Sequence, residues 1–178
     1  MTITASEQRA AVNQFALGIK YFKGQGVKKD PEEGLKWITS AANQGLASAK
    51  FNLGIRYFNG LGVKKDPKAG LKWLASAAEL GDASAQFNLG LRYLNGQGVK
   101  KDLEKGLKWI TSAAEQGLFS AQLSLGVKYA TGEAVLKDYD KALIWFNLAN
   151  LDGNKKAEWW ISAVSKELST KQIARAKR

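Results

Sequence analysis

Residues 46–81 read LASAKFNLGIRYFNGLGVKKDPKAGLKWLASAAELG, and residues 82–117 repeat this pattern with 25 identities in 36 positions. The same period runs through the whole chain of 178 residues, where all 18 glycines fall into five columns spaced by 36 residues. Tryptophan, tyrosine and aspartate columns share that spacing. A period of this length is typical of arrays in which identical small units stack on one another.

One repeat contains the signals for two helices. Ala49, Leu53 and Tyr57 recur at i, i+4 and i+8, which places them on one face of a first helix, helix A. The glycine-rich segment 59–62 then ends that helix. Asp66-Pro67 predicts the start of a second helix, helix B, with aspartate as N-cap and proline at the first helical position. Neither helix buries its apolar face alone, so the repeats must stack.

The predicted fold is therefore all-α: a right-handed α-solenoid of stacked antiparallel helix pairs, with nine or ten helices and no strands. We expect a single solenoid domain over residues 1–178, with repeats at about 10–45, 46–81, 82–117 and 118–153 and C-terminal capping helices with a basic tail at 154–178. Gly54 stands in the middle of helix A, where glycine costs about 1 kcal/mol relative to alanine. Its recurrence in four repeats predicts a close approach of two helices.

The two ends of the array differ from its middle. Residues 4–7 form a capping box that opens an extended first helix, and residues 30–33 predict a second capping box. Ala157 and Ile161 match the core columns and predict a fifth helix A. Residues 169–172 predict the cap of a short final helix over 170–178. The C-terminal cap should thus be a pair of helices.

The string AQFNLGLRYLNGQGVKKDLEKGLKWITSAAEQG, residues 85–117, resembles the Sel-one-like repeat family, a relative of tetratricopeptide repeats with a longer loop between helices A and B. The matching elements are Ala85, Leu89-Gly90, Tyr93, Gly96-x-Gly98-Val99, Asp102, Trp109, Ala113-Ala114 and Gly117. The chain departs from the family pattern at Gly34, Gly70 and Gly106, where alanine is usual, and at Ala134 and Asn150 in the fourth repeat. The resemblance implies a superhelical scaffold that binds other proteins. Bacterial members act as adaptors in signalling, in secretion and host interaction, or as immunity proteins that neutralise a toxin or secreted effector.

By analogy with tetratricopeptide repeats, helix A lines the concave surface and carries the partner-binding residues. The expected contacts are a row of cations, amides beside it and apolar anchors: Lys20, Asn52, Ile55, Arg56, Asn59, Asn88, Leu91, Arg92, Asn95 and Lys128. Arginine and asparagine side chains bind carboxylates and extended peptide backbone, so the predicted partner is an acidic protein segment with an apolar anchor. The alternative is that the apolar residues only pack neighbouring A helices and that the cations recur because the repeat was duplicated.

The positive charge of the chain leaves a second class of partner open. With 27 Lys+Arg against 16 Asp+Glu, the formal net charge is +11, and lysine pairs recur in the loops. They predict either a solvated surface or a basic edge that binds nucleic acid, and nucleic acid is the less favoured partner because the aromatic residues occupy core columns. The basic tail, which includes Lys171 and Arg175, is the corresponding candidate for anionic lipid.

The composition excludes the common catalytic machinery. The chain has no His and no Cys, so Ser-His-Asp and Cys-His nucleophiles, disulfides and thiolate or imidazole metal sites are absent. The recurring aspartates are N-caps about one repeat apart, and the loop glycines lack the lysine and preceding strand of a phosphate-binding loop. We therefore expect no enzyme activity, no cofactor and no metal. No apolar stretch reaches 18 residues and the start shows no signal-peptide pattern, which predicts no membrane span and a cytoplasmic location.

Overall fold

The computed structural model describes residues 4–151 and 154–176, with side chains to residue 168. Within those ranges the chain forms nine α-helices and no strand, as the sequence predicts. They are α1 (Ala5–Lys23), α2 (Pro31–Asn43), α3 (Ala47–Asn59), α4 (Pro67–Glu79), α5 (Ala83–Asn95), α6 (Leu103–Glu115), α7 (Phe119–Thr131), α8 (Tyr139–Ala149) and α9 (Lys155–Ala176). Odd-numbered helices are helix A of a repeat and even-numbered ones are helix B.

The chain groups into two compact units, Met1–Leu89 and Gly90–Arg178, called unit 1 and unit 2. The prediction of a single solenoid domain stays a prediction. In unit 1 the core is built from Ile38, Ala41, Ala42, Ala49 and Leu53, all nearly inaccessible to solvent. In unit 2 a cluster of Ala130, Ala142, Phe146 and Val164 joins α7, α8 and α9.

The predicted N-caps of the B helices are confirmed. Oδ1 of Asp66 accepts hydrogen bonds from the backbone N–H groups of Lys68 and Ala69, both at 3.0 Å, and Asp30, Asp102 and Asp138 act at the same place in the other repeats. The backbone N–H of each capping aspartate also donates to the carbonyl of the tyrosine nine residues earlier, at 2.9–3.0 Å. These bonds close every loop between helices A and B, so the recurring aspartates and tyrosines together fix the conformation of the loop.

The N-terminal capping box forms between Thr4 and Glu7, but the second predicted capping box, at residues 30–33, is wrong. Asp30 caps the helix through its side chain, whereas its backbone N–H is already bonded to the carbonyl of Tyr21 at 3.0 Å. The Glu33 carboxylate pairs with Lys36 at 3.1 Å instead. The loop-closing bond thus takes the donor that a capping box needs.

The predicted C-terminal helix pair is also wrong. A single helix, α9, runs from Lys155 to Ala176 without a break at residues 169–172. The physical reason is that residues 154–176 contain neither glycine nor proline, and serine and threonine only cap a helix where the chain can leave it. Parts of the sequence-based predictions rest on three residues that lie outside the described ranges: Gly153, Lys177 and Arg178.

The mid-helix glycines mark close contacts of helices A and B, as predicted. A Cβ built on Gly18 of α1 would lie 2.8 Å from the carbonyl oxygen of Gly34 in α2 and 2.6 Å from Cγ1 of Ile38. A Cβ on Gly54 meets the corresponding atoms at a looser 3.2–3.3 Å. Only a residue without a side chain allows the two backbones to approach this closely.

The glycines of helix B, which depart from the family pattern, make room for a large residue on helix A. A Cβ on Gly34 would lie 2.8 Å from the ring of Phe22, and Gly70 and Gly106 face Phe58 and Leu94 in the same way. In the fourth repeat both positions have changed together, to Ala130 and Ala142, and both alanines are buried. The sizes of the two facing side chains therefore change together. A glycine on helix B faces phenylalanine or leucine on helix A, and the alanine on helix B of the fourth repeat goes with an alanine on helix A.

Ala134 occupies a loop position where the other repeats have glycine, and its φ is +65°. The corresponding glycines at 26, 62 and 98 have φ values of +73°, +74° and +77°. A residue with a Cβ pays about 1 kcal/mol in this left-handed region, because Cβ approaches the neighbouring carbonyl. We expect Ala134→Gly to raise the free energy of unfolding by about 1 kcal/mol in urea titrations. Ala149→Gly, in the last position of α8, is the control and should lower it.

Candidate functional site

The residues predicted to bind a partner lie on four A helices, and the structure places them in both units. Lys20, Asn52, Ile55, Arg56, Asn59 and Asn88 belong to unit 1, and Leu91, Arg92, Asn95 and Lys128 belong to unit 2. Their surroundings differ between repeats. Lys20, Asn59 and Asn95 are exposed, Asn52, Ile55, Arg56, Asn88, Leu91 and Arg92 are half-buried, and Lys128 is buried.

Arg56 is held in place by three contacts within unit 1. Its Nε donates to Oδ1 of Asn52 at 2.6 Å, and Nη1 donates to the carbonyl of Leu61 at 3.1 Å. The guanidinium carbon lies 3.2 Å from the ring centroid of Phe22, a cation–π contact between two repeats of unit 1. We call these four residues, Phe22, Asn52, Arg56 and Leu61, the Arg56 clamp.

The clamp leaves part of the guanidinium available. An arginine has five N–H groups, and the bonds to Asn52 and Leu61 use two of them. Partial burial lowers the pKa of Arg56 from its ordinary value, and the group stays protonated at neutral pH because that ordinary value is far above 7. The side chain is thus a fixed cation with donors in a planar fork, a geometry that suits carboxylates.

Three further predicted residues lie on α1 and α3, the helices that carry Phe22 and Arg56. Lys20 and Asn59 are exposed, and Ile55 is half-buried one residue before Arg56. Asn59 and Arg56 are three residues apart and Asn52 and Arg56 are four apart, so all three follow one stripe of α3. We call this set the unit 1 face: Lys20, Asn52, Ile55, Arg56 and Asn59.

In unit 2 the corresponding cations are held differently. Lys128 of α7 is only 6% exposed, and its Nζ lies 3.3 Å from Oε1 of Glu133 in the loop that follows. Arg92 is half-buried, and desolvation lowers its pKa. Asn88 of unit 1, one turn before Arg92, donates to the carbonyl of Ser84 at 2.8 Å. The cation column therefore consists of an exposed lysine, two desolvated arginines and a buried lysine in an ion pair.

Three groups that shape this surface are not predicted from the sequence. Phe22 is not among the predicted contacts, and it lies beneath the guanidinium of Arg56 and against Gly34 and Gly62. The Leu61 carbonyl is a backbone group, which a residue pattern does not reveal. Glu133 does leave a signal, because it replaces Gln25, Leu61 and Gln97 in the same column and adds a carboxylate near Lys128.

The lysine pairs of the loops are exposed in the first three repeats, at residues 28–29, 64–65 and 100–101. Leu136 replaces the first lysine of the pair in the fourth repeat and is 92% exposed. Among the helices within the described ranges, none is both long enough and apolar enough to cross a membrane.

The Sel1 repeat family model matches the chain four times, at residues 14–46, 47–82, 83–118 and 119–154. A search of curated proteins gave no match. Among solved structures, the chain is 41% identical to c5321, a protective antigen of uropathogenic Escherichia coli with an SLR fold, with a TM-score of 0.77. It is 39% identical to a Sel1 repeat protein from Oxalobacter formigenes, also with a TM-score of 0.77. It is 26% identical to cysteine rich protein B of Helicobacter pylori, with a TM-score of 0.56.

These alignments cover 83%, 86% and 75% of this chain, in the same order. They cover 32% of the E. coli antigen, 62% of the O. formigenes protein and 96% of the H. pylori protein. The chain thus spans less than two thirds of the length of the first two. Because four family repeats account for most of its residues, the chain belongs to the Sel1 repeat family.

Proposed function

We propose that this Sel1 repeat protein is a non-catalytic scaffold that binds an acidic segment of a protein partner on the surface of its A helices. The Arg56 clamp is the observation that supports this proposal most. Three contacts within its own chain fix the guanidinium of Arg56, and it keeps N–H donors that these contacts do not use. A side chain already held in one geometry loses little conformational entropy when a ligand binds it.

The chemistry of the unit 1 face favours a peptide over a small molecule. Its polar groups are a guanidinium, an ammonium and two amides, and Ile55 adds an apolar contact. Carboxylate side chains of a partner would pair with Arg56 and Lys20, and Asn59 would bind its backbone. Aspartates that would otherwise be candidates for acid–base chemistry are committed to capping helices, which supports a role without catalysis.

The proposed contact is testable by site-specific photo-crosslinking in cells that express the chain. A photoreactive amino acid at Asn59, which is exposed and one turn from Arg56, should yield a crosslinked protein, whereas the same group at Glu79 at the end of α4 should not. The identity of the captured protein then separates the two roles that the family suggests. A toxin or secreted effector would make the chain an immunity protein, and a signalling protein would make it an adaptor.

Charge reversal tests the same face quantitatively. We expect Arg56→Glu to weaken binding of the crosslinked partner at least about tenfold, because it replaces attraction by repulsion at a desolvated position. Lys20→Glu makes the same change at an exposed position of the face, and should weaken binding less. Lys72→Glu is the matched control, since Lys72 is an exposed cation on helix B of unit 1. Equal affinities of Arg56→Glu and Lys72→Glu would contradict the proposal.

A further inference from the structure

The first turns of α9 enclose a pocket of about 250 Å³ against α7. Its lining residues, which we call the α9 pocket, all belong to unit 2 and share none with the unit 1 face: Leu123, Lys155, Lys156, Trp159 and Trp160. The ring of half-buried Trp160 stacks on that of Phe146, with centroids 5.5 Å apart. Because Phe146 belongs to the core of unit 2, this wall of the pocket is anchored in the core.

Trp159 forms another wall of the pocket and remains 63% exposed. Its ring meets that of Trp160 edge-on, with centroids 4.9 Å apart and planes inclined by 83°. Edge-to-face packing is a favourable geometry for two aromatic rings. The contact holds the Trp159 ring beside the pocket, so a ligand that enters there covers apolar surface that the fold leaves in water.

Four of the five lining positions are on α9 and differ from the corresponding positions of earlier A helices. Lys155 and Lys156 stand where α3 and α5 have alanine followed by serine. Trp160 stands where those helices have asparagine, and Trp159 stands where they have phenylalanine. Within six residues, α9 thus carries two cations and two indoles that α3 and α5 lack.

The stability of α9 does not explain the two lysines. They occupy its first turn, where the helix dipole favours carboxylates over cations. Both lysines are exposed, and within the described part of the chain no ion pair joins either of them to a carboxylate, Glu158 of the same turn included. Positions that break a local rule of stability without a compensating contact are typical of functional sites.

The size and charge of the pocket indicate its ligand. Sites for whole small molecules measure about 300–1,000 Å³, so this smaller pocket has room for one large side chain. The two lysine ammonium groups complement a carboxylate. Because the lysines and the indoles stand within two turns of one helix, the ligand must carry its carboxylate close to its apolar group. The last residue of a peptide does so, since its α-carboxylate and its side chain share one Cα.

A single strand of nucleic acid also combines anions with flat rings, but it fits this part of α9 less well. Such strands bind along a track of cations with several stacking rings. Beyond the pocket, the described side chains of α9 include one lysine and two glutamates, Lys166, Glu158 and Glu167, and no further aromatic ring. The cations and rings are thus confined to one pocket.

From these observations we propose that the α9 pocket binds the C-terminal residue of a partner protein when that residue is apolar. Its side chain packs against Leu123, Trp159 and Trp160, and its carboxylate pairs with Lys155 and Lys156. Capture of a C-terminal carboxylate is a recurrent mode of peptide recognition. The pocket recognises a chain end, whereas the unit 1 face is proposed to bind acidic side chains.

Fluorine NMR of the 178-residue chain labelled with 5-fluorotryptophan tests the proposal, because each of the six tryptophans gives a signal and Trp159→Phe assigns one of them. The probe is an acetylated Gly-Ser peptide that ends in phenylalanine with a free carboxylate. It should shift the Trp159 signal with a dissociation constant in the high micromolar to millimolar range. The C-terminal amide should bind about three- to tenfold more weakly. The peptide ending in glycine should bind at least about tenfold more weakly than the one ending in phenylalanine.

Three variants locate the contact. Lys155→Ala with Lys156→Ser, which copies residues 83 and 84, should bind the acid and the amide equally. Lys64→Ala with Lys65→Ser is the matched control, since it removes two exposed lysines from unit 1 and should distinguish the two peptides as the wild type does. Arg56→Glu should also bind like the wild type, because the peptide has no acidic side chain for the unit 1 face.

An unshifted Trp159 signal at millimolar peptide would overturn the proposal, and so would equal binding of the acid and the amide to the wild type. Loss of binding in Arg56→Glu would overturn it as well, because the carboxylate would then lie at the unit 1 face. If a deoxythymidine oligonucleotide shifts the Trp159 signal at lower concentration than the peptide does, the pocket binds single-stranded nucleic acid instead.

Discussion

Replacing Phe146 with alanine is expected to lower the free energy of unfolding by about 4 kcal/mol. The Phe146 side chain is fully buried and stacks on Trp160 with ring centroids 5.5 Å apart and planes inclined by 12°. It also fills the space left by Gly126, so its ring joins α7, α8 and α9. Alanine would leave a cavity that these helices only partly close, which adds a packing loss to the lost burial of the ring.

Urea denaturation followed by circular dichroism measures this loss, and Phe146→Ile provides the matched control. Isoleucine occupies the same column at residues 38 and 110, where it is fully buried against the corresponding glycine. We expect the isoleucine variant to lose roughly a third of what the alanine variant loses. A loss below about 1 kcal/mol for Phe146→Ala would show that the aromatic ring is not the core contact of unit 2.

Replacing Gly18 with alanine is expected to destabilise the chain by about 2 kcal/mol, although alanine is the better helix former. The new methyl group would lie 2.8 Å from the carbonyl oxygen of Gly34 and 2.6 Å from Ile38. The carbonyl belongs to the backbone of α2 and cannot rotate away, so the two helices must separate. The cost of that separation exceeds the gain of about 1 kcal/mol in helix propensity.

Gly54→Ala is the matched control because Gly54 holds the same position one repeat later. There the nearest atoms would lie 3.2–3.3 Å from the new methyl group, which requires a shift of only a few tenths of an ångström. We expect its stability to change by less than about 1 kcal/mol. The same chemical denaturation series measures both variants, and equal losses at the two positions would contradict the argument from backbone approach.

The repeat, its period and most helix boundaries could be predicted from the sequence because their signals are local. Asp66 before Pro67 caps a helix wherever it occurs, and the loop glycines have positive φ values that few other residues adopt. The column of Gly18 and Gly54 predicted close helix contacts because glycine in a helix interior has no other benefit. Tertiary structure did not need to override any of these signals.

The settings of the candidate binding residues could not be predicted, because they depend on contacts between neighbouring segments. The 36-residue period places Lys20, Arg56 and Lys128 in one column, but it does not show that Phe22 lies under the guanidinium of Arg56. Nor does it show that Glu133 pairs with Lys128. The C-terminal helix was mispredicted for a related reason. A capping motif at residues 169–172 does not end a helix when neither glycine nor proline precedes it.

Selection of a random peptide library on the immobilised 178-residue chain tests the central claim most directly, because it requires no knowledge of the natural partner. If the unit 1 face binds acidic protein segments, the wild type will enrich peptides that combine aspartate or glutamate with an apolar residue. This enrichment will be lost with Arg56→Glu and retained with Lys72→Glu. Enrichment of no class of peptide, or the same acidic peptides on Arg56→Glu as on the wild type, would contradict it.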